Sequence, residues 1–292
     1  MKQSFSYKIA LLILRLMGIK KSFSQMPVDF KKIRKQDVHT PKGGYFNKNS
    51  TSFPLLETKV TELSPTSAEN KLVIFIHGGA FISGPAKHHW DAVRTIADSS
   101  KSVVWMCDYP KAPEKDIEVI SANIDHVYQT ALKKYPNHQI SLVGDSAGAT
   151  LITALAQRLI KHKERLPDQL ILISPVMDAS MTNPEIDIID PLDPMLSKKG
   201  ILSAKQMCAG NLDLTDPMIS PLYGEFAGFP KTLIFLGSYD IMFPDEQLAV
   251  QKLKDAKVDV HVVEGEKMPH IWPILPVMKE AKLAFKEILN RL

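Results

Sequence analysis

The chain has 292 residues, a hydrophobic content of 45% and a formal net charge of +4. Its length fits one large globular domain as well as two small ones, and its hydrophobic content excludes intrinsic disorder. Cys107 and Cys208 give neither a disulfide framework nor a metal-ligand spacing, and they are predicted to be buried side chains in a reducing, cytoplasmic compartment. Residues 1–50 carry eleven Lys and Arg against Asp29 and Asp37, a balance of +9 that leaves −5 for the remainder. The remainder has no basic stripe interleaved with aromatic residues, so nucleic-acid binding is not predicted.

The N-terminal arm, residues 1–44, is predicted to be helical. Its apolar stretch from Ile9 to Ile19 is too short to span a bilayer and is interrupted by Arg15. Arg15 and the Lys20–Lys21 pair also stand where a signal peptide would have its apolar core and cleavage site. Two interpretations remain open: a helix packed on the body, or a basic amphipathic helix that contacts a membrane surface or covers an acyl site.

The body, residues 45–292, is predicted to be an α/β domain with a mostly parallel sheet and helices on both faces. Residues 45–64 favour a hairpin-like lead-in with a strand at 55–60, and later apolar runs alternate with segments of helical period. In such folds, ligands bind at the carboxyl ends of the strands. The apolar runs are residues 71–76, 102–107, 139–143, 169–173, 231–236 and 258–263, and the helical periods lie within 117–131, 151–160 and 274–292.

One proline-rich segment interrupts this alternation. Between Pro175 and Phe229 the sequence predicts no buried strand and one helix, over about residues 197–209. An insertion of this length in a compact domain is usually a lid or a binding loop. We therefore predict a cap over the strand ends, formed by residues 178–228 together with the N-terminal arm.

The run at 139–143 leads into Gly144-Asp145-Ser146-Ala147-Gly148 and then into a helical segment. A Gly-x-Ser-x-Gly turn between a strand and a helix is typical of a nucleophile elbow. Ser146 is predicted to adopt a strained backbone conformation there, while Gly144 and Gly148 allow the strand and the helix to approach closely. Ser146 is therefore the candidate nucleophile, and the N–H of Ala147 is free to face an oxyanion.

A serine nucleophile needs a base and an orienting carboxylate, expected in the chain order Ser, acid, His. Asp240 follows the run at 231–236, and His270 lies in the loop after the last predicted strand, so these two are the candidate acid and base. Asp245 and Glu264 are the alternative acids, although Asp245 fits the first turn of the next helix better. Seven other histidines have simpler structural explanations: those at positions 77, 88, 89, 126, 138, 162 and 261.

The segment His77-Gly78-Gly79-Ala80-Phe81 follows the first buried strand. Two consecutive glycines allow adjacent N–H groups to converge on one point. We predict that Gly78 and Gly79, together with Ala147, form an oxyanion hole, with Ala80 as a further donor. A purely structural Gly-Gly turn is the alternative, and no metal site is predicted.

These motifs resemble the hormone-sensitive lipase family of bacterial carboxylesterases, within the α/β-hydrolase superfamily, from about residue 71 to the C-terminus. Asp240 and His270 fall on the acid and the histidine of the family's catalytic triad. Three departures leave the size of the acyl pocket open: Ala80 replaces a glycine, Pro110-Lys111 replaces Arg-Leu, and Ile271-Trp272 replaces Gly-Phe. The matching segments are residues 77–81, 108–114, 144–148, 174–178 and 216–221.

The resemblance implies hydrolysis of short- to medium-chain carboxylic esters without a cofactor. It implies that His270 takes the proton of Ser146, that Asp240 orients the imidazole, and that water clears an acyl-enzyme. An amidase or peptidase with the same triad remains open, as does a non-catalytic small-molecule binding protein on the same fold. The sequence also leaves a homodimer and the natural acyl and alcohol groups open.

Overall fold

The computed structural model describes residues 3–41, 43–65, 67–275 and 277–292, and an eight-stranded sheet forms its centre. The strands are β1 (Ser50–Leu55), β2 (Thr58–Leu63), β3 (Lys71–Ile76), β4 (Val103–Asp108), β5 (Gln139–Asp145), β6 (Gln169–Ile173), β7 (Lys231–Gly237) and β8 (Val260–Gly265). They are ordered β1-β2-β4-β3-β5-β6-β7-β8 across the sheet. The pairs β1–β2 and β2–β4 are antiparallel, and all the others are parallel.

Helices cover this sheet. They are α1 (Phe5–Met17), α2 (Ile19–Ser22), α3 (Phe30–Asp37), α4 (Gly44–Asn49), α5 (Lys87–Ser100), α6 (Ile117–Lys134), α7 (Ala147–His162), α8 (Glu185–Ile189), α9 (Lys198–Ala209), α10 (Phe243–Asp255) and α11 (Lys279–Arg291). The pairs α6–α7 and α5–α11 are in contact. The central strands consist mainly of Val, Ile and Leu because both of their faces are buried.

The predicted α/β architecture with a mostly parallel sheet is confirmed. Because β3 to β8 run in one direction, the loops that follow these strands meet at one edge of the sheet. The elbow follows β5, Asp240 follows β7 and His270 follows β8, so the topology brings all three predicted catalytic segments to that edge.

Several elements differ from the predictions: β8 covers Val260–Gly265 rather than residues 258–263, and the insertion contains the short helix α8 in addition to α9. Residues 55–60 are two strands rather than one, because Leu56 and Glu57 form a two-residue turn between Leu55 and Thr58, which pair with each other. Apolar alternation continues across so short a turn, so the sequence pattern does not show it. The last helix begins at Lys279, after a 3-10 turn over Trp272–Ile274, and α5 was not among the predicted segments.

The arm and the insertion between β6 and β7 contact each other and the body. The N–H of Val28 donates to Ser203 Oγ at 2.9 Å, and the Lys20 ammonium pairs with the Asp190 carboxylate at 3.0 Å. At the other end of the arm, the Tyr7 hydroxyl donates to the carbonyl of Lys267 at 2.7 Å. Residues 1, 2 and 42 of the predicted arm lie outside the described residues. Within the described part of the chain, every helix is too short or too polar to cross a bilayer.

Candidate active site

Ser146 occupies the turn between β5 and α7, as predicted. Its backbone has φ 50° and ψ −123°, a conformation that non-glycine residues rarely adopt. The close approach that forces this turn is visible at two glycines. A Cβ at Gly144 would lie 2.7 Å from the carbonyl carbon of Gly148, and one at Gly148 would lie 1.9 Å from the carbonyl oxygen of Ile76. The strand and the helix can therefore be this close only with glycine at both positions.

Asp240 and His270 form a buried hydrogen-bonded pair. Nδ1 of His270 and Oδ2 of Asp240 are 2.7 Å apart, and both side chains are almost fully inaccessible. The other carboxylate oxygen, Oδ1, accepts a hydrogen bond from the N–H of Met242 at 3.0 Å. Burial favours the neutral imidazole, but the negative charge of Asp240 outweighs it and raises the pKa of His270 above its usual value.

The loop that carries His270 and the elbow that carries Ser146 are attached to consecutive residues at the end of β6. The N–H of Ser146 donates to the carbonyl of Ile173 at 2.8 Å. The N–H of Ile271 donates to the hydroxyl of Ser174 at 3.0 Å. These two hydrogen bonds hold the backbone of Ser146 and the backbone next to His270 at the carboxyl end of β6.

The segment after β3 lies directly against the elbow. A Cβ at Gly78 would stand 2.9 Å from the Cβ of Ser146. Gly79 has φ 116°, and a Cβ there would stand 2.4 Å from the carbonyl oxygen of Ser83, so both glycines are required by close contacts. The predicted Gly-Gly segment is therefore adjacent to the candidate nucleophile.

The N–H of Gly78 has a different partner from the one predicted. It donates to Oδ1 of Asp145 at 3.0 Å, so it is already engaged by a buried carboxylate and is not free for an oxyanion. The N–H groups of Gly79, Ala80 and Ala147 make no hydrogen bond within the described part of the chain. The first two follow Gly78, which lies against Ser146, and the third belongs to the residue directly after Ser146.

His89 holds Asp145 from the other side, a role that sequence reasoning missed. Its Nδ1 accepts a hydrogen bond from the N–H of Ala86 at 2.8 Å, so its Nε2 carries the proton and donates to Asp145 Oδ2 at 3.1 Å. Burial raises the pKa of the Asp145 carboxyl, but His89 and the Gly78 N–H act in the opposite direction and outweigh burial. The pKa of Asp145 is therefore below its usual value. The sequence feature that points to this bridge is Asp145 itself, an acidic residue directly before Ser146 that needs a partner if it is buried.

His88, His89 and Asp145 also bring ligand atoms within 4.8 Å of one another. Two imidazoles and a carboxylate are a donor set that transition metals bind. Both ring nitrogens of His89 are already used in hydrogen bonds, however, so the arrangement fits a structural bridge better than a metal centre.

The two alternative acids lie elsewhere. Asp245 is in the first turn of α10, as predicted, and accepts a hydrogen bond from Asn183 at 2.8 Å. Glu264 is an exposed residue of β8. A further buried carboxylate, Asp193 in the insertion, lies beside Asp240 and was not selected from the sequence, because nothing in the pattern of a proline-rich segment marks it.

The fold, the elbow and the buried acid–histidine pair together define the class of the protein. The family model for the alpha/beta hydrolase fold matches residues 73–274, more than half of the chain, and the chain belongs to this family. The resemblance to esterases of the α/β-hydrolase superfamily that the motifs indicated is confirmed.

Particular relatives support the assignment. An esterase of Acinetobacter venetianus is 34% identical over 203 residues, which are 68% of this chain and 67% of that protein. A candidate esterase from Staphylococcus aureus has a solved structure with a TM-score of 0.81 and 28% identity, covering 89% of this chain and 90% of that chain. The structure of an esterase from the bacterial hormone-sensitive lipase family has a TM-score of 0.87 and 23% identity, covering 100% of this chain and 98% of that chain.

Proposed function

We propose that this protein is a serine carboxylesterase that hydrolyses small-molecule carboxylic esters through an acyl-enzyme on Ser146. The observation that carries the proposal is the buried pair of His270 and Asp240, 2.7 Å apart, with the loop of His270 anchored beside a strained serine elbow. Membership of the hydrolase family and the esterase relatives support the same reaction.

The hydrogen bond to Asp240 fixes the role of the imidazole. Because His270 donates from Nδ1 to the carboxylate, its Nε2 carries the lone pair that accepts the proton of Ser146. The serine oxygen then attacks the ester carbonyl, and the carbonyl π electrons move onto its oxygen. Asp240 stabilises the imidazolium that forms.

The negative charge on the carbonyl oxygen would be met by the free N–H groups of Gly79, Ala80 and Ala147, with each donor stabilising the transition state by about 3 kcal/mol. Gly78 supports this segment through Asp145 instead of donating itself. The imidazolium then protonates the departing alcohol as the C–O bond breaks. Water, deprotonated by His270, attacks the acyl-enzyme and releases the carboxylic acid and Ser146.

The substrate class is a short- to medium-chain ester, and the reaction needs no group beyond this chain and water. An amidase or peptidase would use the same residues, so matched ester and anilide substrates distinguish the two. A non-catalytic binding protein has no need of a buried Asp–His pair beside a serine.

We also propose a cytoplasmic location, since both cysteines are free and buried.

A fluorophosphonate probe tests this function. It reacts with an activated serine and should label the wild-type protein at Ser146, as located by peptide mass spectrometry. The variant Ser146→Ala should not be labelled, and Ser238→Ala, which alters a serine between β7 and Asp240, should be labelled like the wild type. An unlabelled but folded wild-type protein would contradict the proposal.

We propose that the arm, residues 1–44, and the insertion, residues 178–228, together cap the strand ends. Their mutual contacts support this, and so does the contact of Arg34 with the segment after β3. The Arg34 guanidinium donates from Nε to the carbonyl of Ile82 at 2.6 Å and from Nη2 to the carbonyl of Ala112 at 2.5 Å.

We further propose that the outer face of α1 contacts an anionic membrane surface. Large apolar side chains occupy one face of α1, opposite the buried Tyr7, Ala10 and Leu14. Phe5 is 78% exposed and Leu16 is 77% exposed. Lys8 and Arg15 flank this face, and the helix contains no acidic residue, so its charge complements anionic headgroups. The outer face consists of Phe5, Ile9, Leu12, Ile13 and Leu16.

Sedimentation with lipid vesicles tests this contact. The protein should bind vesicles that contain about a quarter phosphatidylglycerol, bind phosphatidylcholine vesicles more weakly, and dissociate as salt rises from about 0.1 M to about 1 M. The double variant Leu12→Gln, Leu16→Gln should bind at least about tenfold more weakly. Leu248→Gln with Leu283→Gln, two half-exposed leucines on α10 and α11, is the matched control and should bind normally.

The competing occupant of this face is a second copy of the chain. Analytical ultracentrifugation without lipid separates the two. A dimer that the Leu12→Gln, Leu16→Gln variant converts to a monomer, with no vesicle binding by either protein, would contradict the membrane proposal and assign the face to a homodimer.

A further inference from the structure

A second buried carboxylate stands beside the Asp240–His270 pair. Asp193 lies in the insertion and is 2% exposed. Its Oδ2 accepts a hydrogen bond at 3.0 Å from the N–H of Ile241, the residue that directly follows Asp240. The insertion thus reaches the backbone that carries the proposed catalytic acid.

Asp193 is itself held firmly. Its Oδ1 accepts two hydrogen bonds, from the N–H of Met195 at 2.7 Å and from the N–H of Leu196 at 2.9 Å. Asp240 in turn accepts a hydrogen bond from Met242. Two consecutive N–H groups, those of residues 241 and 242, are therefore bound by two different carboxylates, which fixes the backbone on the C-terminal side of Asp240.

The arm is connected to the same point. The ammonium of Lys20 donates to the backbone carbonyl of Asp193 at 3.0 Å and pairs with the carboxylate of Asp190. A continuous series of polar contacts therefore runs from the arm through the insertion to Ile241, and Asp193 is the member next to the proposed triad.

Several neighbouring groups influence the pKa of Asp193. Burial, and then the nearby Asp240 carboxylate, raise the pKa of Asp193 to about 7, although the two N–H groups on Oδ1 and the charge of His270 act in the opposite direction. Glu246 on α10 is also buried near Asp240, and burial raises its pKa well above the usual value. The titratable and charged groups around Asp193 are Asp240, His270, Lys20 and Asp190, and Glu246 is a further neighbour of Asp240.

We propose that Asp193 is a positioning residue for the triad: it fixes the backbone beside Asp240 and places a second negative charge close to His270. The first effect holds the acid where it can orient the imidazole. The second favours the imidazolium form, because an ionised carboxylate nearby stabilises a positive charge in a buried site. This inference rests on the proposed function, since it concerns the same site.

The variant Asp193→Asn tests both effects. An amide has a single acceptor oxygen, so it cannot accept hydrogen bonds from residues 195, 196 and 241 in the same way, and it carries no charge. We expect kcat for p-nitrophenyl acetate at alkaline pH to fall about 10- to 100-fold while KM changes little. We also expect the acidic limb of the kcat/KM profile to move to lower pH by about one unit, because His270 loses a negative neighbour.

Asp190→Asn is the matched control. It removes a carboxylate three residues away that pairs with Lys20 and is partly exposed, so the acidic limb and kcat should stay at the wild-type values. A purely structural role for Asp193 would lower thermal stability without moving the acidic limb. That result in a folded Asp193→Asn protein would overturn the proposal.

A second variant covers the case in which Asp193→Asn does not fold. Asp193→Glu keeps the charge and displaces it by one methylene, so the acidic limb should stay near the wild-type pH while kcat falls. An unchanged kcat in Asp193→Glu would overturn the proposal. So would an acidic limb that moves to lower pH by about one unit, the displacement expected for loss of the charge. Fluorophosphonate labelling of wild-type Ser146 is measured in parallel. Labelling with no effect of Asp193 variants refutes this inference alone, whereas absent labelling refutes the proposed function.

Discussion

At the scale of the residue, the candidate site contains a few buried polar groups, and the hydrogen bonds of each group determine which of its atoms can take part in the proposed reaction. His270 donates to Asp240 from one nitrogen and thereby has its other nitrogen free to accept a proton. Asp145 accepts from both Gly78 and His89, which holds the segment after β3 against the elbow. The N–H of Gly78 is therefore engaged by Asp145, and Gly78 is not among the proposed oxyanion donors.

The Asp240 carboxylate is the group whose removal should be most damaging after that of the nucleophile and the base. Asp240→Asn keeps the shape of the side chain, but it stabilises the wrong imidazole tautomer and cannot stabilise the imidazolium. We expect kcat for p-nitrophenyl butyrate to fall by about 10³- to 10⁴-fold. Asp245→Asn, in the first turn of α10, should keep most of the activity. Equal losses in the two variants would contradict the assignment of the acid.

The sequence predicted most of these residues because their chemistry is tied to local patterns. A serine between two glycines, after an apolar strand and before a helix, needs no knowledge of distant residues. Asp193 and His89 could not be found in this way, because their roles arise from contacts with Ile241 and Asp145 that only the folded chain creates. The engagement of the Gly78 N–H was missed for the same reason.

At the scale of the element, the elbow works because α7 is packed tightly against β3 and β5. The helix is fully buried from Ala147 to Ala156, and Gly148 in its first turn lies against the carbonyl of Ile76. This contact keeps the helix N-terminus, with the free N–H of Ala147, next to the segment that follows β3.

Adding a single methyl group at this contact should therefore separate the elements. In Gly148→Ala the new Cβ would lie 1.9 Å from a backbone oxygen that cannot move alone. We expect the free energy of unfolding, measured in urea, to fall by about 2–4 kcal/mol. Gly44→Ala, where nothing lies within 4 Å of the added atom, is the control and should be close to neutral. A neutral Gly148→Ala would show that α7 is not packed as described.

Boundaries of elements were harder to predict than their existence. The strands with continuous apolar runs, such as β3 and β6, have the predicted limits, since burial on both faces leaves no ambiguity. The β1–β2 hairpin agrees with the predicted hairpin-like lead-in, but its turn lies inside the strand that was predicted over residues 55–60. The turn has only two residues, and the alternation of apolar side chains does not stop there.

At the scale of the whole molecule, the arm and the insertion both make hydrogen bonds to segments that carry the candidate site residues. Arg34 of α3 spans from the arm to two carbonyls and to Glu114, with which it forms an ion pair at 2.7 Å. The first of these carbonyls belongs to Ile82, two residues after Ala80. The arm therefore helps to fix the segment that supplies the proposed oxyanion donors.

Loss of this guanidinium should weaken catalysis more than it weakens the fold. In Arg34→Ala the carbonyls of Ile82 and Ala112 lose their donor, and the segment after β3 gains freedom. We expect kcat/KM for p-nitrophenyl acetate to fall about tenfold, equivalent to about 1.4 kcal/mol of transition-state stabilisation. Lys32→Ala, an exposed cation on the same helix, should leave kcat/KM unchanged, and similar effects of the two variants would contradict this role.

The most direct test of the account is the turnover of p-nitrophenyl acetate by Ser146→Ala, compared with the wild type at equal concentration and with folding checked by circular dichroism. Removal of the hydroxyl deletes the proposed nucleophile while the elbow, the imidazole and the carboxylate stay in place. We predict a loss of kcat of at least about 10⁴-fold in a folded protein. A folded Ser146→Ala protein that hydrolyses the ester at the wild-type rate would contradict the account.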